Sequence, residues 1–235
     1  GIFGFVNIIP NVFSSNINFS FFEINHHVDY SFNSILSQKG ITMQLFLDGS
    51  EIDKIIEYNN IGILDGITTN PSIILKSGKN VFEVIAEITK IVKGSVSVEV
   101  SATDREEMYL QGKKLSEIAE NVTVKLPITW EGLAACKRLS DEGTSVNMTL
   151  CFSSSQALLA AKAKASFVSP FIGRLDDSNQ DGANLISEIK KIYINYGFNT
   201  KILAASIRTI NHVKECASIG ADVATIPVNV FDKLI

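Results

Sequence analysis

Cysteine is scarce in this chain: Cys136, Cys151 and Cys216 are its three, an odd number without CxxC spacing. That pattern gives neither a disulfide framework nor a zinc site, and it points to a reducing, cytoplasmic setting. The three histidines, His26, His27 and His212, also lack metal-ligand spacing. His212 sits at the start of a helical pattern, TINHVKE, and reads as a surface residue. No excess of positive charge is present, since 21 Lys and Arg stand against 25 Asp and Glu, for a net charge of −4. A basic surface for nucleic acid or anionic lipid is therefore not expected, and any phosphate must be bound locally by a few placed Arg or Lys. No stretch reaches the roughly 18 apolar residues that span a bilayer. The expected partner is a small molecule.

The first 42 residues also lack something: they hold seven of the fourteen Phe but no Ala and no Arg. A basic n-region and a small-residue cleavage site are missing too, so the segment does not read as a signal peptide. It is expected to be an extension, non-native or disordered, with an organelle leader as the alternative; the folded domain proper would begin at Met43.

From Met43 onward eight short apolar segments alternate with helical patterns: QLFLD, GILDGITTN, VSVEV, NVTVKLP, TSVNMT, SFVSPF, KILAAS and DVATIP. Between them, stretches such as NVFEVIAEITKIVK and DREEMYLQGKKLSEIAE place apolar residues three and four apart, as amphipathic helices do. Eight such units in a single domain predict a (β/α)8 TIM barrel over residues 43–235. The chain stops at NVFDKLI, one or two turns into the eighth helix, which is expected to be cut short.

Polar residues gather at the ends of these strands, the face on which TIM barrels place their active sites. Lys125 is the most informative, because a lysine inside NVTVKLP must reach solvent or be desolvated, and desolvation favours the neutral amine. A neutral amine can attack a ketone and form an imine that accepts the electrons of a breaking C–C bond. The bland alternative is a lysine that snorkels or pairs structurally. Asp48 and Glu99 are candidate acids and bases; each is also a candidate counter-ion for Lys125, and Asp48 a candidate helix N-cap. Thr68 and Asn70 leave strand two, while Asn147 and Thr149 lie two apart on strand five and share a side. Ser169 with Arg174, and Ser206 with Arg208, follow strands six and seven, where such barrels commonly bind phosphate and where the planar fork of Arg suits it.

Seven stretches, in order, carry a family resemblance: FLD at 46–48, GITTNPS at 66–72, VEVSATD at 98–104, VKLPIT at 124–129, NMTLCFSSSQALLAAKA at 147–163, SFVSPFIGRLDD at 166–177 and KILAASIRT at 201–209. With them the chain from Met43 to Ile235 resembles the transaldolases, in the short transaldolase and fructose-6-phosphate aldolase branch. The resemblance implies Lys125 as the Schiff-base lysine, Asp48 as acid and base at the substrate's C4 hydroxyl, and Glu99 with Thr149 as holders of a catalytic water. It implies that Thr68, Asn70 and Asn147 contact the substrate, and that Ser169, Arg174, Ser206 and Arg208 bind it or its phosphate. The implied reaction moves dihydroxyacetone from sedoheptulose 7-phosphate to glyceraldehyde 3-phosphate in the pentose phosphate pathway, without cofactor or metal. A fructose-6-phosphate aldolase, which tends to carry Gln where Glu99 stands, is the alternative; a silent binding barrel is the alternative of another class. Gly49 stands where a hydroxyl residue is usual and Lys164 where Gly is usual. The family's C-terminal tail, which packs on a neighbouring subunit in small members, would lie beyond Ile235, so a homo-oligomer is expected of the full-length family.

Overall fold

The computed structural model describes residues 42–78 and 80–235. The extension expected over residues 1–42 thus falls, but for Thr42, outside the described residues. Eight parallel strands close into a barrel in sequence order. They are β1 (Gln44–Asp48), β2 (Gly66–Thr68), β3 (Val96–Glu99), β4 (Val122–Pro127), β5 (Val146–Cys151), β6 (Phe167–Pro170), β7 (Lys201–Ala204) and β8 (Val223–Pro227). The barrel shuts where β1 pairs with β8, from Gln44 opposite Val223 to Asp48 opposite Pro227. Around it run α1 (Ile52–Ile61), α2 (Pro71–Ser77), α3 (Val81–Ile91), α4 (Arg105–Ser116), α5 (Trp130–Asp141), α6 (Ser154–Lys162), α7 (Ile172–Asp177), α8 (Gly182–Tyr196), α9 (Ile210–Ile219) and α10 (Val228–Phe231). This is the TIM barrel expected from the sequence. Seven of the eight apolar segments contain one strand, and β5 begins within TSVNMT and runs two residues past it to Cys151.

Strand parity sorts the residues. Leu47, Ile67, Val98, Val124, Leu126, Met148, Val168, Ile202 and Ile226 are almost wholly buried and join the helix residues Ile55, Ile85, Met108, Leu139, Ile186 and Cys216 in one large cluster. These are the outward positions, covered by the helical jacket, and each large aliphatic side chain so buried contributes about 1.5–3 kcal/mol. The alternate, inward positions divide in two. Phe46, Phe167, Leu203, Ala205 and Val223 form a second, smaller apolar cluster, whereas Thr68, Ser97, Thr123, Lys125, Asn147, Thr149 and Thr225 are buried polar groups.

Helices start where a short polar side chain closes the turn after a strand. Thr129 accepts from the Gly132 N–H at α5, Ser153 from Gln156 at α6, and Thr209 from His212 at α9. Such caps satisfy amide donors that the first turn leaves free. Lys164 has φ 64°. That left-handed conformation is one glycine adopts without steric cost, and Lys164 is held in it with its ammonium on Asp141 at 2.8 Å. All three cysteines are buried and free, and burial pushes each thiol up to about 12.

Candidate active site

Lys125 sits in the barrel wall, 7% exposed, opposite Glu99 on β3 and Asn147 on β5. Its Nζ lies 3.1 Å from Glu99 Oε2 and donates to the Thr69 carbonyl at 3.0 Å. An ammonium has three donor positions. The third is left for the cavity that Lys125 lines, about 200 Å³ in volume. That cavity brings together Asp48, Thr68, Asn70, Lys125, Thr149, Ser169, Arg174, Ser206 and Arg208, and adds Thr225, Phe171 and Ala205. Glu99 and Asn147 are not among its lining residues.

Asp48 closes β1 beside Thr68, its neighbour across the β1–β2 ladder. The Thr68 hydroxyl donates to Asp48 Oδ1 at 2.9 Å and lies 2.6 Å from the Thr225 hydroxyl. Since the single Thr68 proton goes to the carboxylate, Thr225 is the donor in the second bond, and the chain runs Thr225 to Thr68 to Asp48. Helix α1 takes Glu51, not Asp48, at its cap position, so the carboxylate of Asp48 is spent on the cavity rather than on a helix end. Burial raises the Asp48 carboxyl above the ordinary carboxylate value; the Thr68 hydrogen bond and the Lys125 charge oppose that without cancelling it. The close ion pair of Lys125 is with Glu99.

Asn147 is wholly buried and works from below the cavity: its Oδ1 accepts from Ser169 at 2.7 Å and its Nδ2 donates to Ser97 at 3.2 Å. It sets the orientation of Ser169, which does line the cavity. Asn70 Oδ1 accepts from the Ile73 N–H at 3.0 Å, leaving its amide nitrogen for the cavity. Beyond Thr149 the β5–β6 register shifts, and Leu150 turns through φ 58° to become 36% exposed. Thr149 itself stays inside, 1% exposed, and among the described residues its hydroxyl has no hydrogen-bond partner. A buried hydroxyl left so marks a place for a water or a ligand atom.

The far side of the cavity is cationic. Arg174 lies on α7, and Arg208 follows β7 in a loop that also carries Ser206 at φ 59°. Gly173 lets the two segments meet, because a Cβ there would stand 2.2 Å from the Ser206 carbonyl oxygen. Arg208 is 45% exposed and its guanidinium pairs with Asp177. His212, expected at the surface, is instead 13% exposed with Nε2 2.9 Å from Asp176. The sequence reading missed Thr225, Phe171, Ala205, Asp176 and Asp177. Thr225 had a signal, as a polar residue at an inward position of DVATIP; the others had none. Asp48 and Asn70 also border a wider groove of about 810 Å³ that Asn229 and Asp232 help to line. No group of His, Cys, Asp or Glu suited to a metal ion occurs among the described residues, and no helix there is long and apolar enough to cross a membrane.

Known proteins give the same architecture and, at closer range, a family. At 10% identity and a TM-score of 0.61, the chain is similar in fold alone to the carboxyl transferase domain of Rhizobium etli pyruvate carboxylase, over 81% of this chain and 40% of that one. Proteins described as probable transaldolases are far nearer. Those of Dinoroseobacter shibae and Roseobacter denitrificans are 61% and 62% identical over 192 residues, 82% of this chain and 88% of theirs. The corresponding protein of Ruegeria pomeroyi is 59% identical over 193 residues, covering 89% of its length. The family model for transaldolase/fructose-6-phosphate aldolase matches residues 45–235. With that match running from within β1 through all the later strands of the barrel, the chain belongs to the transaldolase/fructose-6-phosphate aldolase family and is an enzyme of the transaldolase/aldolase type.

Proposed function

We propose that this chain is a transaldolase that carries dihydroxyacetone on Lys125 as a Schiff base, taking it from sedoheptulose 7-phosphate or fructose 6-phosphate and giving it to an aldose phosphate within the cytoplasmic pentose phosphate pathway. One observation carries the reading: a buried lysine whose Nζ is held by Glu99 at 3.1 Å and Thr69 O at 3.0 Å faces a cavity shared with Asp48 and two arginines.

The steps follow from those groups. Lys125, having passed a proton to Glu99, attacks C2 of the ketose, and the carbinolamine loses water to give a protonated imine. Asp48 takes the proton of the C4 hydroxyl as the C3–C4 bond breaks; the bond electrons enter the imine, an enamine remains on Lys125, and the aldose phosphate leaves. In the reverse sense C3 of the enamine attacks the carbonyl carbon of the acceptor, and Asp48 returns the proton to the new C4 oxygen. A water between Glu99 and the Thr149 hydroxyl serves the dehydration and the final hydrolysis of the imine. Thr68, linked to Thr225, keeps Asp48 aimed into the cavity. Asn70 and Ser169 hold the dihydroxyacetone hydroxyls, with Asn147 behind Ser169. Arg174, Arg208 and Ser206 take the phosphate at the opposite end, through charge-assisted bonds. Asp48, with its carboxyl raised by burial, is more basic than an ordinary carboxylate, which suits a group that must take a proton from a hydroxyl.

The test is product analysis. Fructose 6-phosphate with erythrose 4-phosphate should give sedoheptulose 7-phosphate and glyceraldehyde 3-phosphate, and borohydride added with the donor alone should leave a three-carbon diol on Lys125. Release of free dihydroxyacetone from fructose 6-phosphate alone, at the rate of transfer, would make the enzyme an aldolase. A label on another lysine would remove Lys125 from its role.

A further inference from the structure

We infer that His212 is a positioning residue for the phosphate end of the cavity, acting through the backbone of Arg208; this rests on the reading of Arg208 as a phosphate ligand. The loop 205–209 is fastened to α7 along its length. The Ile172 N–H donates to the Ala205 carbonyl at 3.1 Å and the Gly173 N–H to that of Ser206 at 3.2 Å. Past Ser206 the fastening passes to an imidazole. The Arg208 N–H donates to His212 Nδ1 at 3.2 Å, and His212 Nε2 stands 2.9 Å from the Asp176 carboxylate. Accepting at Nδ1 while donating at Nε2 is possible only for the neutral tautomer with its proton on Nε2. Asp177, next in the chain, takes the guanidinium of the same arginine. Two successive carboxylates at the end of α7 therefore hold Arg208 at both ends, one by its side chain and one, through His212, by its backbone.

Such a clamp has a use. Arg208 is half-exposed and stands two residues after Ser206 at φ 59°, so a free loop would sample other conformations and lose affinity to ordering when the anion arrives. Helix α9 does not need the imidazole, because the Thr209 hydroxyl already accepts from the His212 N–H at 3.1 Å and caps the first turn. The ring is thus not explained by the helix it stands on. It is explained by the arginine four residues before it.

The experiment measures KM and kcat for fructose 6-phosphate with erythrose 4-phosphate, the same constants for unphosphorylated fructose as donor, and the inhibition constant of inorganic phosphate. The full chain is compared with His212→Ala, His212→Asn and Arg208→Ala. In His212→Ala the loss of one backbone hydrogen bond should raise KM for fructose 6-phosphate and the phosphate inhibition constant by roughly three- to ten-fold. Saturated kcat and the constants for fructose should stay within about two-fold, since the lost contact is one of binding. His212→Asn, whose Oδ1 falls near the place of Nδ1 and can accept from Arg208, should restore most of the loss. Should His212→Ala not fold, His212→Gln, which reaches the Asp176 side only, carries the same comparison against His212→Asn. Unaltered phosphate constants in His212→Ala beside raised ones in Arg208→Ala overturn the inference alone. Unaltered constants in Arg208→Ala overturn the reading of Arg208, and the inference with it. A fall in kcat with both donors alike makes His212 a residue of the fold, and a His212→Asn variant as weak as His212→Ala rejects the Nδ1 contact as the cause.

Discussion

Thr149→Val separates what this residue does for the fold from what it does for the chemistry. Valine copies the outline of threonine and lacks only the hydroxyl, so packing under β5 is kept while one polar atom goes. That atom is buried, with the residue 1% exposed, and has no partner among the described residues. A buried hydroxyl without a hydrogen bond costs about 1–3 kcal/mol. Removing it should therefore leave stability unchanged, where a held water already satisfies it, or raise it by up to about 2 kcal/mol. Most buried polar-to-apolar changes go the other way. Catalysis should fall together with this gain, since the loss of a placed proton-transfer water lowers kcat by about 100-fold or more. Urea unfolding, with equal slopes as the check on the denatured state, gives the first quantity; steady-state transfer to erythrose 4-phosphate gives the second. Thr149→Ser, which keeps the hydroxyl, should retain much of the rate. A Thr149→Val protein that is destabilised by more than about 1 kcal/mol means that the hydroxyl has a structural partner, and one with full activity means that no catalytic water depends on it; either result refutes the reasoning.

Glu99→Gln keeps the shape beside Lys125 but removes the charge and the base, so transfer to an acceptor should fall and release of free dihydroxyacetone should rise; product chromatography reads the partition, and an unchanged partition dismisses Glu99 as the discriminator. Arg174→Ala should raise KM for phosphorylated donors well above any change for fructose, by about 10-fold or more for a lost charge-assisted contact, with equal effects on both donors making the residue structural. Asp48→Asn should abolish cleavage and yet stabilise the fold near neutral pH. The sign follows from the raised carboxyl: a folded state that holds its proton more tightly than the unfolded chain is favoured at low pH, and that advantage is lost as pH rises through the raised value. The amide never ionises, so its stability advantage over the parent should be present above that window and vanish in acid, as melting curves across pH would show.

The barrel was legible because its signal is periodic. VTVKLP gives three outward apolar residues and an inward lysine by alternation alone, and that parity is what the register of β4 against β3 and β5 displays. Strand ends were legible for the same reason, so nine of the proposed site residues meet at one cavity. Partnership was not. Parity places Asn147 inward but does not give its bonds to Ser169 and Ser97, because it says that a side chain points inward and not how far up the axis it lies. His212 was read as a surface residue, since the Asp176 that faces it lies on a different helix and the pairing exists only once the fold brings α7 and α9 together. Thr42 and the residues before it offered a compositional break, which bears on where the barrel begins and says nothing of chemistry.

The inner wall of the barrel explains why the proposed nucleophile, Lys125, belongs on β4. Inward positions contributed by β1, β6, β7 and β8 include Phe46, Phe167, Leu203 and Val223, an apolar cluster with no acceptor in it. Asp48, Ser169 and Thr225 are polar and inward on β1, β6 and β8, but the inward positions beside Lys125 on β2 to β5 include Thr68, Ser97, Glu99, Thr123, Asn147 and Thr149, and the carboxylate and carbonyl that Lys125 uses, Glu99 and Thr69, lie on that side. An ion taken from water without a partner costs several kcal/mol even after relaxation. Moving the lysine across the barrel, as Lys125→Leu with Leu203→Lys, would place its charge against Phe46 and Phe167 and strip Glu99 of its partner. Such a protein should lose its cooperative unfolding transition and should take no borohydride label at position 203. A folded double variant that labels there would show that any inward lysine suffices, and that the polar neighbours on β2 to β5 are not what fits Lys125 to the proposed role.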